Sequence, residues 1–104
     1  MALLQRADVR APVLPKETVT VGALGGDVIV RGLLLAEKLD RNRLSGGHMV
    51  AHTLACAVEL GDGTPLYSAE EWAVFGAQHA DAALDLFKTA QRLSGDDPEV
   101  NRKN

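Results

Sequence analysis

The sequence has one cysteine, few aromatic residues and no excess of basic charge. A single thiol, Cys56, cannot form an internal disulfide, so a hydrophobic core has to hold the 104-residue chain together. Aromatic residues make up only 4% of the chain and the formal net charge is −3, which argues against nucleic-acid binding. The 46% of hydrophobic residues suffices for the core of one domain.

Long apolar runs are absent as well. A helix that crosses a bilayer needs about 20 consecutive apolar residues, and no run in the sequence approaches that length. The first ten residues carry Arg6, Asp8 and Arg10, where a signal peptide would need an apolar stretch. We therefore expect a soluble cytoplasmic domain that does not contact a membrane.

Proline, glycine and charge divide the chain into three parts. Pro12 and Pro15 interrupt the beginning of the chain, so residues 1–16 are expected to form a flexible arm. Residues 17–95 carry strand and helix patterns and form the single predicted domain. Residues 96–104 have almost nothing to bury and are expected to be a disordered tail.

A β-hairpin is predicted at the start of the domain. Polar and apolar residues alternate on both sides of Gly25 and Gly26. A two-residue turn at these glycines would pair Val21 with Val30. One face of the hairpin would then carry the valines Val19, Val21, Val28 and Val30, and the other Thr18, Thr20, Ile29 and Arg31.

The predicted first helix, residues 33–44, has an apolar side and a charged side. At about 100° per residue, Leu35, Ala36 and Leu39 share the apolar side, which we expect to face the core. The charged side holds Glu37, Lys38 and Arg41. Leu34 falls among these charges. It is either one of the isolated exposed leucines common on soluble proteins or a contact with a partner.

Three further helices complete the prediction. The second, residues 48–60, is apolar around most of its circumference and is expected to be the central helix. The third begins at Ala69 behind a Ser68–Glu71 capping box, and the fourth begins at an Asp81 cap. Their inward residues are predicted to be Trp72, Phe75, Gly76 and His79, and then Ala83, Leu86, Phe87, Ala90 and Leu93. The result is an α+β, mainly α-helical fold, with an N-terminal β-hairpin packed on about four short helices.

Two groups of residues could carry chemistry. His48 and His52 have the helical spacing of metal ligands, but the glutamate of a zinc-protease motif is missing. Glu59 lies about 10 Å farther along a helix, so a polar stripe of these three residues is favoured over a metal site. The apolar neighbours of Cys56 are typical of an unreactive thiol. We expect no catalytic, cofactor or metal site.

The order of segments resembles a known family. The hairpin from Val21 to Arg31 precedes a leucine-rich helix, residues 61–68 form a turn that enters a capped helix, and Leu93-Ser94-Gly95 precedes a short polar end. With this arrangement, roughly residues 17–104 resemble the tail assembly chaperones of long-tailed, siphovirus-type bacteriophages and prophages.

The resemblance implies a non-enzymatic protein of the host bacterial cytoplasm. Such a chaperone binds the tape measure protein, keeps it soluble while the tail tube assembles, and is absent from the mature virion. A longer product of ribosomal frameshifting would recruit the tail-tube protein, and a homo-oligomer would gain avidity. The candidate protein-binding residues are Leu34, Val74 and Leu84, which fall outside the core-facing stripes of their helices.

Two other functions remain open for this sequence. A structural head-tail connector or tail-completion subunit can also combine a hairpin with helices, and it would persist in purified virions. A metal-dependent enzyme that uses His48 and His52 would retain stoichiometric metal after purification.

Overall fold

The computed structural model describes residues 14–95, together with Leu3 and Gln5. The elements follow in this order: β1 (Lys16–Val21), a 3-10 helix (Gly22–Leu24), β2 (Gly26–Arg31), α1 (Leu35–Arg41), α2 (Gly46–Ala57), β3 (Val58–Glu59), α3 (Ala69–Gln78) and α4 (Ala80–Leu93). This confirms the predicted α+β, mainly helical fold. The predicted tail and most of the predicted arm lie outside the described residues, and Lys16, assigned to the arm, belongs to β1.

The three strands form one antiparallel sheet in the order β1-β2-β3. The predicted hairpin pairing is wrong, because Val21 lies opposite Gly26 rather than Val30. The connection is longer than a two-residue turn: the 3-10 helix precedes Gly25, which closes the turn with a φ of 84°. A positive φ of this size favours glycine, which has no Cβ to clash with the backbone.

The predicted faces of the hairpin are nevertheless confirmed. The true partner of Val21 is four residues away from the predicted one, and an even shift keeps every side chain on its own face. Val28 and Val30 are buried with Val21, while Thr18 and Thr20 are exposed. The valine face forms one wall of the core.

Strand β3 is absent from the sequence-based prediction, which continues the second helix to residue 60. Instead α2 ends at Ala57, and Val58 and Glu59 pair with Val30 and Ile29 of β2. Val58 is fully buried on the core side, where a β-branched side chain packs well on a sheet. Pairing with the sheet therefore overrides the helical pattern at the end of α2.

Helix α2 is the central helix, as predicted. It packs against each of the other three helices and against strands β2 and β3 of the sheet. The core between these elements consists of Val21, Val28, Val30, Leu33, Ala51, Leu54, Ala57, Val58, Trp72, Phe75, Ala83, Leu86, Phe87 and Ala90.

The predicted capping box at the start of α3 is confirmed. The backbone N–H of Glu71 donates to the Ser68 hydroxyl at 3.2 Å, and the Ser68 N–H donates to the Glu71 carboxylate at 3.0 Å. Trp72 and Phe75 are buried as predicted. His79 is exposed, so its predicted core position is wrong: α3 ends at Gln78, and His79 is the connecting residue before α4.

Helix α4 has the predicted inward face but a different first residue. Its four buried residues are Ala83, Leu86, Phe87 and Ala90, and Leu93 is partly buried against them. The helix begins at Ala80, so Asp81 lies in the first turn rather than at the cap. A carboxylate is still favourable there, because the N-terminal end of a helix is electropositive.

Candidate protein-binding surface

Helix α1 is turned over relative to the prediction. Leu35 and Leu39, which are predicted to face the core, are 73% and 54% exposed, and Ala36 is exposed with them. Arg41, which is predicted to face solvent, is only 8% exposed. The predicted orientation of this helix is therefore wrong, and its charged side faces the rest of the protein.

Ionic contacts hold the charged side of α1 inward. Arg31 of β2 donates two hydrogen bonds to the Glu37 carboxylate, both 2.8 Å long. The same carboxylate accepts a 2.8 Å hydrogen bond from the backbone N–H of Leu34, at the start of the helix. Lys38 donates from its Nζ to the carbonyl oxygen of Ser94. These contacts join α1 to the sheet and to the end of α4.

The contacts around α1 also shift the pKa values of three groups. The hydrogen bonds from Arg31 lower the pKa of Glu37, and the same bonds raise the pKa of Arg31. Burial, followed by the negative charge of Glu37, raises the pKa of the Cys56 thiol to about 11. The thiol is therefore protonated at neutral pH, and a protonated thiol is a weak nucleophile.

The predicted polar stripe of His48, His52 and Glu59 does not form. Because α2 ends at Ala57, Glu59 lies in β3, where its Oε1 is 2.8 Å from the Nζ of Lys16. His48 is exposed, and the Nε2 of His52 lies 3.9 Å from a thiol sulfur, that of Cys56. Among the described residues, no group of three or more His, Cys, Asp or Glu side chains could hold a metal ion.

Four leucines on α1 and on either side of it are exposed, and we call this set the leucine face. It consists of Leu34, Leu35, Leu39 and Leu44. Two charged residues, Asp40 and Arg43, lie between Leu39 and Leu44 in the sequence. They form an ion pair, with Nη1 of Arg43 4.0 Å from Oδ1 of Asp40. Exposed apolar residues scattered singly are normal on proteins, so four exposed leucines within residues 34–44 make this stretch a candidate interaction site.

A second apolar surface is a groove of about 680 Å³ between α2, α3 and α4. Met49, Val50 and Leu84 line it together with the buried ring of Trp72. The other apolar lining residues are small: Gly46, Gly47, Ala51, Ala73, Gly76, Ala77, Ala80 and Ala83. Small residues leave room for the side chains of another helix to enter between these elements.

The three predicted protein-binding residues are all exposed, but each lies in a different surface feature. Leu34 belongs to the leucine face, and Leu84 lines the groove. Val74 lies at a smaller depression of about 310 Å³ beside Tyr67 and Gln78.

The sequence-based selection missed Leu35 and Leu39, the two most exposed residues of the leucine face. Their spacing is typical of residues that face a core, so periodicity alone assigns them to the interior. The available clue is charge, because Arg31 is the last residue of the hairpin and Glu37, of opposite charge, follows six residues later. Only the folded arrangement shows that this pair forms.

None of the helices in the described part of the chain is long and apolar enough to cross a membrane. The chain matches no protein-family model, no curated protein and no solved structure.

Proposed function

We propose that this chain is a non-enzymatic phage tail assembly chaperone, whose leucine face binds an apolar helical segment of the tape measure protein. The observation that carries the proposal is the orientation of α1. A helix that directs its charged side chains inward and its leucines outward offers an apolar surface to another chain.

The contacts beneath α1 support a preformed binding surface. The Arg31–Glu37 pair and the bond from Lys38 to Ser94 restrain the helix on two sides. The leucines are therefore presented on an ordered element, and little conformational entropy is lost when a client binds. Covering a leucine that is half exposed or more contributes roughly 1–2 kcal/mol. Several such contacts suit a client that must later be released.

The groove supports the same function as a second contact. An amphipathic helix commonly binds by placing its apolar side chains in a groove, with anchors three or four residues apart. A long client could contact both the groove and the leucine face, and two weak contacts on one chain strengthen each other. Self-association and recruitment of the tail-tube protein by a longer product belong to the same proposal.

Co-expression tests the proposed function. We expect the tape measure protein to remain in the soluble fraction when this chain is present and to precipitate when it is replaced by an unrelated small protein at equal level. We also expect purified virions to lack the chain. A tape measure protein that precipitates in both cultures would contradict the proposal. A fixed copy number in virions would support the structural connector instead.

A further inference from the structure

The outer edge of β1 is open in the described part of the structure. The sheet order places β2 beside β1 on one side, and none of the described strands pairs with the other side. The strand is six residues long and pairs with β2 in continuous register. A regular edge of this kind is a template for another strand.

The alternation of an antiparallel pair determines which backbone groups point to the open edge. The Gly32 N–H donates to the Pro15 carbonyl oxygen at 2.9 Å, which marks these two as a hydrogen-bonded pair. Along β1, every second residue then bonds to β2: Glu17, Val19 and Val21. The N–H and C=O groups of the alternate residues point to the open edge: Lys16, Thr18 and Thr20.

The two charged side chains of β1 form ion pairs with other residues of the same chain. Charged side chains deter pairing at exposed edges. Here the Nζ of Lys16 is 2.8 Å from Glu59, and Glu17 accepts hydrogen bonds of 2.7 and 2.8 Å from Arg92. The rest of the strand, residues 18–21, contains only threonine and valine.

We propose that β1 pairs with β1 of a second copy, antiparallel, around a two-fold axis at Thr18. Thr18 then lies opposite Thr18 of the second copy, and Lys16 lies opposite Thr20. Each strand supplies three outward N–H groups and three outward C=O groups, so this register forms six backbone hydrogen bonds and uses every outward group.

The side chains fit the same register. A two-fold axis perpendicular to the sheet keeps the valine faces of both copies on one side, which gives a continuous sheet of six strands. Glu17 lies opposite Val19 of the second copy, and no like charges oppose each other. A second copy is therefore matched to the edge by register, by face and by charge. This interface is separate from the leucine face, and the inference rests on the self-association in the proposed function, for which it names the strand and the register.

Proline substitution tests the interface without breaking the hairpin. Because the Thr18 N–H points away from β2, Thr18→Pro removes only an outward donor, whereas Thr18→Val keeps it. In sedimentation equilibrium we expect the wild type and Thr18→Val to be dimers and Thr18→Pro to be monomeric, all with the same far-UV circular dichroism, which shows that the monomeric variant is folded. A monomeric wild type, or a Thr18→Pro variant that folds and still dimerises, would overturn the proposal.

Cysteine cross-linking tests the register in a Cys56→Ser background. Opposed residues of a hydrogen-bonded pair have Cα atoms about 5.5 Å apart, within the range of a disulfide. Thr18→Cys should therefore form a disulfide-linked dimer under mild oxidation. Thr20→Cys should not, because the two copies of residue 20 would be about 13 Å apart at ~3.3 Å per residue. Cross-linking through position 20, or none through position 18, would overturn this register. Neither experiment uses the tape measure protein, so failure here would remove self-association through β1 and leave the proposed binding of the tape measure protein intact.

Discussion

Replacing Trp72 with alanine is expected to lower the free energy of unfolding by about 3–5 kcal/mol, the cost of removing a large buried aromatic side chain. Trp72 is only 1% exposed. Its ring makes edge-to-face contacts with Tyr67 and Phe75, at centroid distances of 5.1 and 5.2 Å. Domains are usually stable by about 5–15 kcal/mol, so the variant would lose a large part of its stability.

Urea unfolding followed by far-UV circular dichroism measures this loss, since Trp72 is the only tryptophan and its fluorescence disappears with it. Trp72→Phe should lower the free energy of unfolding by less than half as much as Trp72→Ala does. It retains an aromatic ring and removes an indole N–H that has no hydrogen-bond partner among the described residues. Val74→Ala, at an exposed position of the same helix, should change stability by less than about 0.5 kcal/mol. A loss below about 1 kcal/mol for Trp72→Ala would contradict the described core.

Replacing Glu37 with glutamine is expected to lower the free energy of unfolding by about 1.5–3 kcal/mol at neutral pH, the usual contribution of hydrogen bonds to a charged group. Both partners are largely buried, with Arg31 15% and Glu37 20% exposed at the side chain. The substitution keeps the shape of the side chain but removes its charge, and a neutral amide is a weaker partner for a guanidinium.

The same pair predicts a pH dependence. The folded protein lowers the pKa of Glu37 below its ordinary value of 4.5, chiefly through the hydrogen bonds from Arg31. The stabilisation is therefore complete above pH 4.5 and is lost as the pH falls below it, when the carboxylate takes up a proton in the folded state. The stability difference between wild type and Glu37→Gln should shrink in acid.

Urea unfolding at neutral and acidic pH measures both effects. Asp85→Asn, which removes a carboxylate from the exposed side of α4, is the matched control and should change stability by less than about 0.5 kcal/mol. A Glu37→Gln variant as stable as the wild type at neutral pH would contradict the proposed anchoring of α1. The anchoring would also be contradicted if the stability difference between wild type and Glu37→Gln did not decrease as the pH falls.

Patterns of local sequence predicted the faces of most elements but not how the elements meet. The valine face follows from alternation alone, and a register error by an even number of residues does not disturb it. The capping box of Ser68 and Glu71 is a contact between near neighbours, so the sequence contains all of it. The 3-10 helix before Gly25 has no comparable signal, and the strand pairing was therefore misplaced.

The orientation of α1 illustrates why the remainder was not predicted. Apolar periodicity shows that a helix has two sides, but contacts distant in sequence decide which side packs inward. Gly32 gives a second example of a contact between residues distant in sequence. A Cβ at this position would lie 2.7 Å from the backbone carbonyl oxygen of Leu93, which is 61 residues away. The groove was missed for a similar reason, since alanines such as Ala73 and Ala77 carry little weight in a hydrophobic pattern.

The proposed chaperone function depends on binding of the tape measure protein by the leucine face. The most direct measurement is the affinity of a soluble fragment of the tape measure protein, carrying its apolar helical segment, for the double variant Leu35→Glu, Leu39→Glu. Both leucines are exposed, so the variant should fold like the wild type. The control is Leu60→Glu, at an exposed leucine outside the leucine face, and it should bind normally. We expect the double variant to bind at least tenfold more weakly, a loss of about 1.4 kcal/mol; wild-type affinity in a folded double variant would contradict binding at the leucine face.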